Sequence, residues 1–193
     1  MEGGSISNSN AKIIGELIEL NRLEEFHIKI SDENNNIYGK DAYDIILNSI
    51  SKNTSIEIFQ LHGYQSPSVK IPFDWIEMNK TIKKLNLNMA FYDEDYEAFN
   101  QKMSLNTSII DLEMFVNDCN FLIKNETLKS LKIKRGSFNY PEKSKYLKMI
   151  STLEYSISQN STLTHLDSSS IHQLRNLRQN HPSLISYKTS LIY

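Results

Sequence analysis

The sequence predicts an α/β solenoid of about seven strand-helix units, with parallel strands on a concave side and helices on a convex side. Three observations predict it. First, a frame of Asn or a stand-in, followed by apolar residues three, six and eight positions on, recurs seven times. Second, the frames start at 20, 53, 79, 106, 125, 160 and 181, so they lie 33, 26, 27, 19, 35 and 21 residues apart. Self-similarity at a period of about 20 to 50 residues marks units that bury their apolar faces only against their neighbours. Third, each frame closes on apolar-polar alternation, as in Lys-Leu-Asn-Leu-Asn at 84–88, while the gaps between frames carry helical spacing. A strand, a crossover and a strand at this spacing pair in parallel, because parallel neighbours need a connection of a dozen or more residues.

In chain order, residues 1–10 (MEGGSISNSN) read as a flexible tail ahead of a single domain at 11–193. A helix at 12–20 presents Ile13, Leu17 and Leu20 to the core, and the first frame, Leu20, Leu23, Phe26, Ile28, follows. A helix at 41–51 carries Tyr43, Ile46 and Ile50, and leads to Asn53, Ile56, Phe59, Leu61. Pro67 and Pro72 confine the next helix to about 73–78, before Asn79, Ile82, Leu85, Leu87. Tyr92, Tyr96, Phe99 and Met103 share one face of a helix whose start is acidic (Asp93, Glu94, Asp95, Glu97), as the macrodipole favours. Asn106, Ile109, Leu112, Met114 come next. The short crossover at 118–124 has room for only a turn or two before Asn125, Leu128, Leu131, Ile133. A helix with Tyr146, Ile150, Leu153 and Ile157 precedes Asn160, Leu163, Leu166, and one at 171–179 with Ile171, Leu174 and Leu177 precedes His181, Leu184, Tyr187. Ser168 and Thr189 hold the plus-eight places of these last two frames, so the pattern weakens toward the C-terminus.

Over about residues 12–193, this frame with helical crossovers and a period near 27 resembles the leucine-rich repeat, in particular its intracellular, ribonuclease-inhibitor-like subclass. The resemblance implies a curved sheet lined by helices and a role in protein-protein recognition without catalysis. The chain departs from the family at the Asn that follows each strand. Only Asn117 stands there, with Ser31, Tyr64, Ala90, Gly136, Ile171 and Ile192 elsewhere, so an asparagine ladder at that place is not expected.

The frame's own asparagines invite another reading. Asn53, Asn79, Asn106, Asn125 and Asn160 complete the Asn-x-Ser/Thr glycosylation pattern through Ser55, Thr81, Ser108, Thr127 and Thr162. The residues read instead as structural: Asn in the left-handed conformation that ends a helix, with the hydroxyl bonding local backbone where the chain turns into the strand. The N-terminus lacks an export signal and the single Cys119 forms no intramolecular disulfide, so a cytoplasmic, reducing location is expected and Cys119 is read as structural.

The charge of −2 and pI of about 6.2 argue against nucleic acid and anionic membranes as partners, and no apolar run has the length of a membrane span. His27, His62, His165, His172 and His181 are scattered without metal-ligand spacing. The six glycines form neither a phosphate loop nor a nucleophile elbow. No enzyme activity, metal or cofactor is expected. A basic cluster, Lys129, Lys132, Lys134, Arg135, Lys143, Lys145 and Lys148, reads as two solvated surfaces, the first suited to an anionic peptide.

The polar strand positions form three columns on the exposed face. The central one is His27, Gln60, Asn86, Glu113, Lys132, Asp167 and Lys188, flanked on one side by Glu25, Ile58, Lys84, Asp111, Ser130, His165 and Ser186. The other flank holds Lys29, His62, Asn88, Phe115, Lys134, Ser169 and Ser190. Ile58 and Phe115 are apolar where the alternation predicts solvent, as anchors of a protein-binding surface are. The expected contact set for a protein partner is Lys84, Asn86, Asn88, Asp111, Glu113, Phe115, Lys132 and Lys134. A different class of role is regulation of an enzyme, as an activator of a small GTPase or a ubiquitin-ligase substrate-recruiting subunit. A third reading is a slice of a longer repeat protein, its last strand an open edge for self-association.

Overall fold

The structure, a computed structural model, describes residues 7–30, 40–63, 71–89, 91, 93–115, 119–134, 143–168, 184 and 186–188. Among them, strands and helical crossovers alternate from α1 to β6: α1 (Asn8–Glu19), β1 (Glu25–Ile30), α2 (Lys40–Lys52), β2 (Ile58–Gly63), α3 (Asp74–Met78) and β3 (Lys84–Asn88). Then come α4 (Asp93–Leu105), β4 (Asp111–Phe115), a 3-10 helix (Asn120–Ile123), β5 (Ser130–Lys134), α5 (Lys143–Gln159), β6 (His165–Asp167) and β7 (Ser186–Lys188). The strands form one sheet in the order β1-β2-β3-β4-β5-β6-β7, every neighbouring pair parallel. This is a parallel-strand α/β repeat.

From the second frame on, the apolar places form the core; in the first, Leu23 is 36% exposed, Phe26 half-buried and Ile28 buried. Ile56, Ile82, Ile109, Leu128, Leu163 and Leu184 are buried at plus three, as are Phe59, Leu85, Leu112, Leu131 and Leu166 at plus six, and Leu61, Leu87, Met114 and Ile133 at plus eight. Crossover segments pack side by side in chain order, α1 on α2, α2 on α3, α3 on α4, α4 on the 3-10 helix and that on α5. Phe59 meets Trp75 edge-on at 5.1 Å, and Phe99 meets Phe121 edge-on at 5.7 Å, so aromatic contacts tie helices to strands and crossovers to each other. At the plus-eight place of β6 the buried residue is Ser168, and both β6 and β7 shorten to three residues, as the fading pattern predicts. The helix expected at 171–179, Tyr92, Asn117 and Arg135 lie outside the described residues.

The five frame asparagines correct the left-handed expectation. Among the described residues the one non-glycine with positive φ is Asn21, at 53°, where α1 ends. The frame asparagines are instead buried, 2–4% exposed, and each bonds in both directions. The side-chain oxygen of Asn106 accepts from the backbone N–H of Ser108 (2.9 Å) and of Ile109 (2.8 Å), while its Nδ2 donates to the Ile76 carbonyl of the preceding crossover (2.5 Å). Asn53, Asn79, Asn125 and Asn160 repeat the pattern, donating to Ile18, Ile50, Met103 and Leu122. The hydroxyl two residues on donates to a carbonyl of the previous unit as well: Ser55 to Leu23, Ser108 to Asn79, Thr127 to Asn106, Thr162 to Leu128. An asparagine ladder therefore exists, ahead of the strands instead of after them. It satisfies backbone groups that the tight turn leaves without helical or sheet partners. The Asn-x-Ser/Thr pattern follows from this: both side chains staple unit to unit, and the Nδ2 that a glycan would need is a buried donor.

The expected core face of α1 is also corrected. Ile13, Leu17 and Leu20 are 57%, 53% and 58% exposed, and the buried residues are Ala11, Gly15 and Ile18. The cause is the closeness of α1 to α2. A Cβ added at Gly15 would sit 2.7 Å from the Ser49 hydroxyl, so this position of the interface has no room for a side chain. Glu19 then accepts from Ser49 (3.1 Å) and Lys52 (3.2 Å), clamping the two helices together. The helix begins at Asn8, capped by Ser7, inside the stretch expected to be tail.

Candidate recognition face on the open side of the sheet

Register places the polar columns as alternation predicts among the described strand residues; Ser169 and Ser190 lie outside the described residues. The central column pairs His27 with Gln60, Gln60 with Asn86, Asn86 with Glu113, Glu113 with Lys132, Lys132 with Asp167 and Asp167 with Lys188. Lys84 stands opposite Asp111, His62 opposite Asn88, and Phe115 opposite Lys134. All eight expected contact residues thus lie on β3, β4 and β5, three adjacent strands. Because side chains alternate across a strand, the buried Leu and Met columns turn these residues to the side opposite the helices.

The charges on this face neutralise one another across strands. Lys84 Nζ lies 3.6 Å from Asp111 Oδ2, and Glu113 Oε1 takes both Lys132 Nζ at 3.3 Å and the Lys134 ammonium. Burial pushes the Glu113 carboxyl up, but the hydrogen bond and charge of Lys134, with the charge of Lys132, outweigh it and hold the group below the ordinary glutamate value. Its side chain is 15% exposed against 46% for Lys132, so the carboxylate is sequestered while one lysine keeps its tip in solvent. Opposite charges at paired places of one column were the signal that sequence reading passed over.

A second network runs through the imidazole of His62. Asn88 Nδ2 donates to its Nδ1 at 3.0 Å, which leaves the proton on Nε2, 3.1 Å from the Gln60 carbonyl oxygen. Burial, then the charges of Lys134 and His27, push the His62 pKa down, so this neutral tautomer is favoured. His27 and His62 sit one register apart, His27 against Gln60 and His62 against Lys29, and His27 bonds Glu25 on its own strand. Among the described residues no three His, Cys, Asp or Glu side chains are grouped to hold a metal. Between the two networks, the Asn86 side-chain oxygen is buried without a hydrogen-bond donor. Ile58 and Phe115 are half-buried apolar residues among these polar groups, and the Phe115 carbonyl accepts from Tyr96 of α4 at 3.4 Å, fixing the end of β4. Cys119 is buried, away from this face at the start of the 3-10 helix. No helix of the described residues is long and apolar enough to cross a membrane.

No protein-family model matches the sequence, and no curated protein matches it. Solved structures similar to it include the leiomodin-1 actin-binding site 2, at 15% identity over 87% of this chain and 84% of that one, with a TM-score of 0.48. Another is a Caenorhabditis elegans tropomodulin C-terminal domain, at 11% identity over 88% of this chain and 89% of that one, with a TM-score of 0.44.

Proposed function

We propose that the chain is a non-catalytic protein-recognition module. In this reading residues 11–193 form one leucine-rich-repeat solenoid of about seven units, akin to the ribonuclease-inhibitor-like subclass, and a protein partner binds the open face of β3, β4 and β5. The observation that carries it is Phe115, a half-buried aromatic residue at a solvent position, paired with Lys134 and next to the sequestered Glu113. An aromatic anchor ringed by polar groups is the usual centre of binding energy at protein interfaces. Charges already paired within the face keep their partners when water is excluded, so covering them leaves no lone buried charge. Strands held in register by the sheet below also lose little conformational freedom on association.

The experiment is capture from native lysate on immobilised protein, comparing wild type with the triple variant F115A/E113A/K132A and with Y155A, a control on the exposed side of α5. The reading expects specific partners that the triple variant loses and Y155A keeps. Equal capture by all three proteins overturns it.

A further inference from the structure

At the edge of the sheet where crossovers end and strands begin, exposed apolar and basic side chains line up from unit to unit. The turns of this edge, 52–58, 78–84, 105–111, 123–130 and 159–165, all lie within the described residues. The Ile110 N–H donates to the Lys83 carbonyl and the Lys129 N–H to the Ile110 carbonyl, both at 2.9 Å, so Lys83, Ile110 and Lys129 stand side by side on three consecutive units. A second row precedes the laddered asparagines: Met78 before Asn79, Leu105 before Asn106 and Lys124 before Asn125. The Ser108 hydroxyl on the Asn79 carbonyl and Asn125 Nδ2 on the Asn106 carbonyl, each at 3.2 Å, hold these turns together. All six side chains of the two rows are exposed. Met78, Leu105 and Ile110, at 58%, 52% and 46%, are three of the ten exposed large apolar residues among the described ones, and they fall in two neighbouring turns.

The charges of this edge are not balanced as those of the strand face are. Lys83, Lys124 and Lys129 enter no ion pair among the described residues, and Lys80 donates to the Glu77 carbonyl at 2.7 Å. Apart from the Lys52–Glu19 and Lys84–Asp111 pairs, the five turns set these four ammonium groups against two exposed carboxylates, Glu57 and Glu126. The edge is therefore basic in a chain whose net charge is −2. The first of the two basic surfaces expected from sequence divides accordingly: Lys132 and Lys134 hold Glu113, while Lys129 joins Lys83 and Lys124.

We propose that this edge binds an extended acidic peptide segment, its carboxylates on Lys83 and Lys129 and an apolar side chain between them on Ile110 and Leu105. Cations on both sides of an apolar centre complement such a segment in charge and in hydrophobicity. Neighbouring strands lie about 4.8 Å apart, so the two lysines stand about 10 Å apart across Ile110, the length of about three extended residues. The segment thus carries two carboxylates three residues apart with apolar residues between. A bilayer is disfavoured, since anionic headgroups over the whole edge also meet Glu57 and Glu126. None of these residues belongs to the contact set on β3, β4 and β5, so this edge stands or falls independently of the recognition reading.

The probe is a fluorescein-labelled peptide, Gly-Ser-Glu-Leu-Phe-Glu-Ser-Gly, titrated with the protein and read by fluorescence anisotropy beside a counterpart with glutamine for both glutamates. The proposal expects a saturable rise with the glutamate peptide. It expects binding weaker by about tenfold for the glutamine peptide and for K83E/K129E, in which two attractions become repulsions. K12E/K148E, the same change of net charge at exposed positions elsewhere, is expected to alter binding by less than about twofold. Should K83E/K129E fail to fold, I110S carries the test, with a severalfold loss expected from the missing apolar contact. No saturable binding, equal binding of both peptides, or equal losses in K83E/K129E and K12E/K148E overturns the proposal. Sedimentation with phosphatidylserine vesicles without peptide binding overturns it as well and assigns the edge to a membrane.

Discussion

The ladder of buried asparagines makes the sharpest prediction, at Asn106. In N106A three backbone groups lose their partners at once: the N–H of Ser108, the N–H of Ile109 and the carbonyl of Ile76. Leaving a buried donor or acceptor unsatisfied costs about 1–3 kcal/mol, so three such groups, with some relaxation and entry of water, amount to about 3–5 kcal/mol. A domain is stable by about 5–15 kcal/mol, so this one side chain accounts for a large share. The damage also spreads, because the Asn106 carbonyl receives Asn125 Nδ2 at 3.2 Å and the Thr127 hydroxyl at 3.0 Å from the next unit. Urea denaturation followed by circular dichroism is the assay. The midpoint drops with the loss of stability, and a fall in slope reports units that have come apart. The neighbouring T107A, exposed in the same turn, is expected to change stability by no more than about 0.5 kcal/mol. If N106A costs less than about 1 kcal/mol, the ladder does not hold the units together and its regularity has another cause.

Other outcomes follow from the same contacts. G15A is expected to destabilise by about 1–2 kcal/mol despite alanine's better helix propensity, since its Cβ meets Ser49 Oγ at 2.7 Å; adding S49A removes that atom, and the double variant recovers most of the loss in thermal melts. Glu113 titrates below 4.5 in the folded chain, so its contribution is present above the unfolded value and lost as pH falls through the folded one; E113Q is expected to show a flatter acid limb in stability against pH. Hydrogen bonds to Asp74 and Glu77 raise Lys102 from 10.5 to about 12, so its clamp of α3 on α4 is fully present below 10.5 and lost as pH rises through about 12; a K102M protein whose alkaline limb matches wild type removes that clamp from the account.

Much of this architecture is written locally in the chain. Alternation of period two tells which strand residues face the core, and the frame spacing aligns one strand with the next, so the columns through Asn86, Glu113 and Lys132 are legible in the sequence. The short crossover at 120–123 and the helix confined by Pro72 were equally plain, because chain length and proline geometry limit them directly. What local pattern cannot carry is contact between units. Helical spacing alone offers α1 two apolar faces, and only its close approach to α2 selects Ala11, Gly15 and Ile18 and leaves Ile13, Leu17 and Leu20 in solvent. The same holds for the asparagines: the sequence determines that one stands at the head of five units, yet its purpose lies in a carbonyl 22 to 38 residues earlier, as for Asn125 and Asn160. Pairing of Glu113 with Lys132 and Lys134, and the row of Lys83, Ile110 and Lys129, likewise arise only when neighbouring units stack. Sequence determined the units and their faces, since those depend on backbone periodicity; tertiary structure decided which side chains those faces bury, bond or leave open, since that depends on the distance between units.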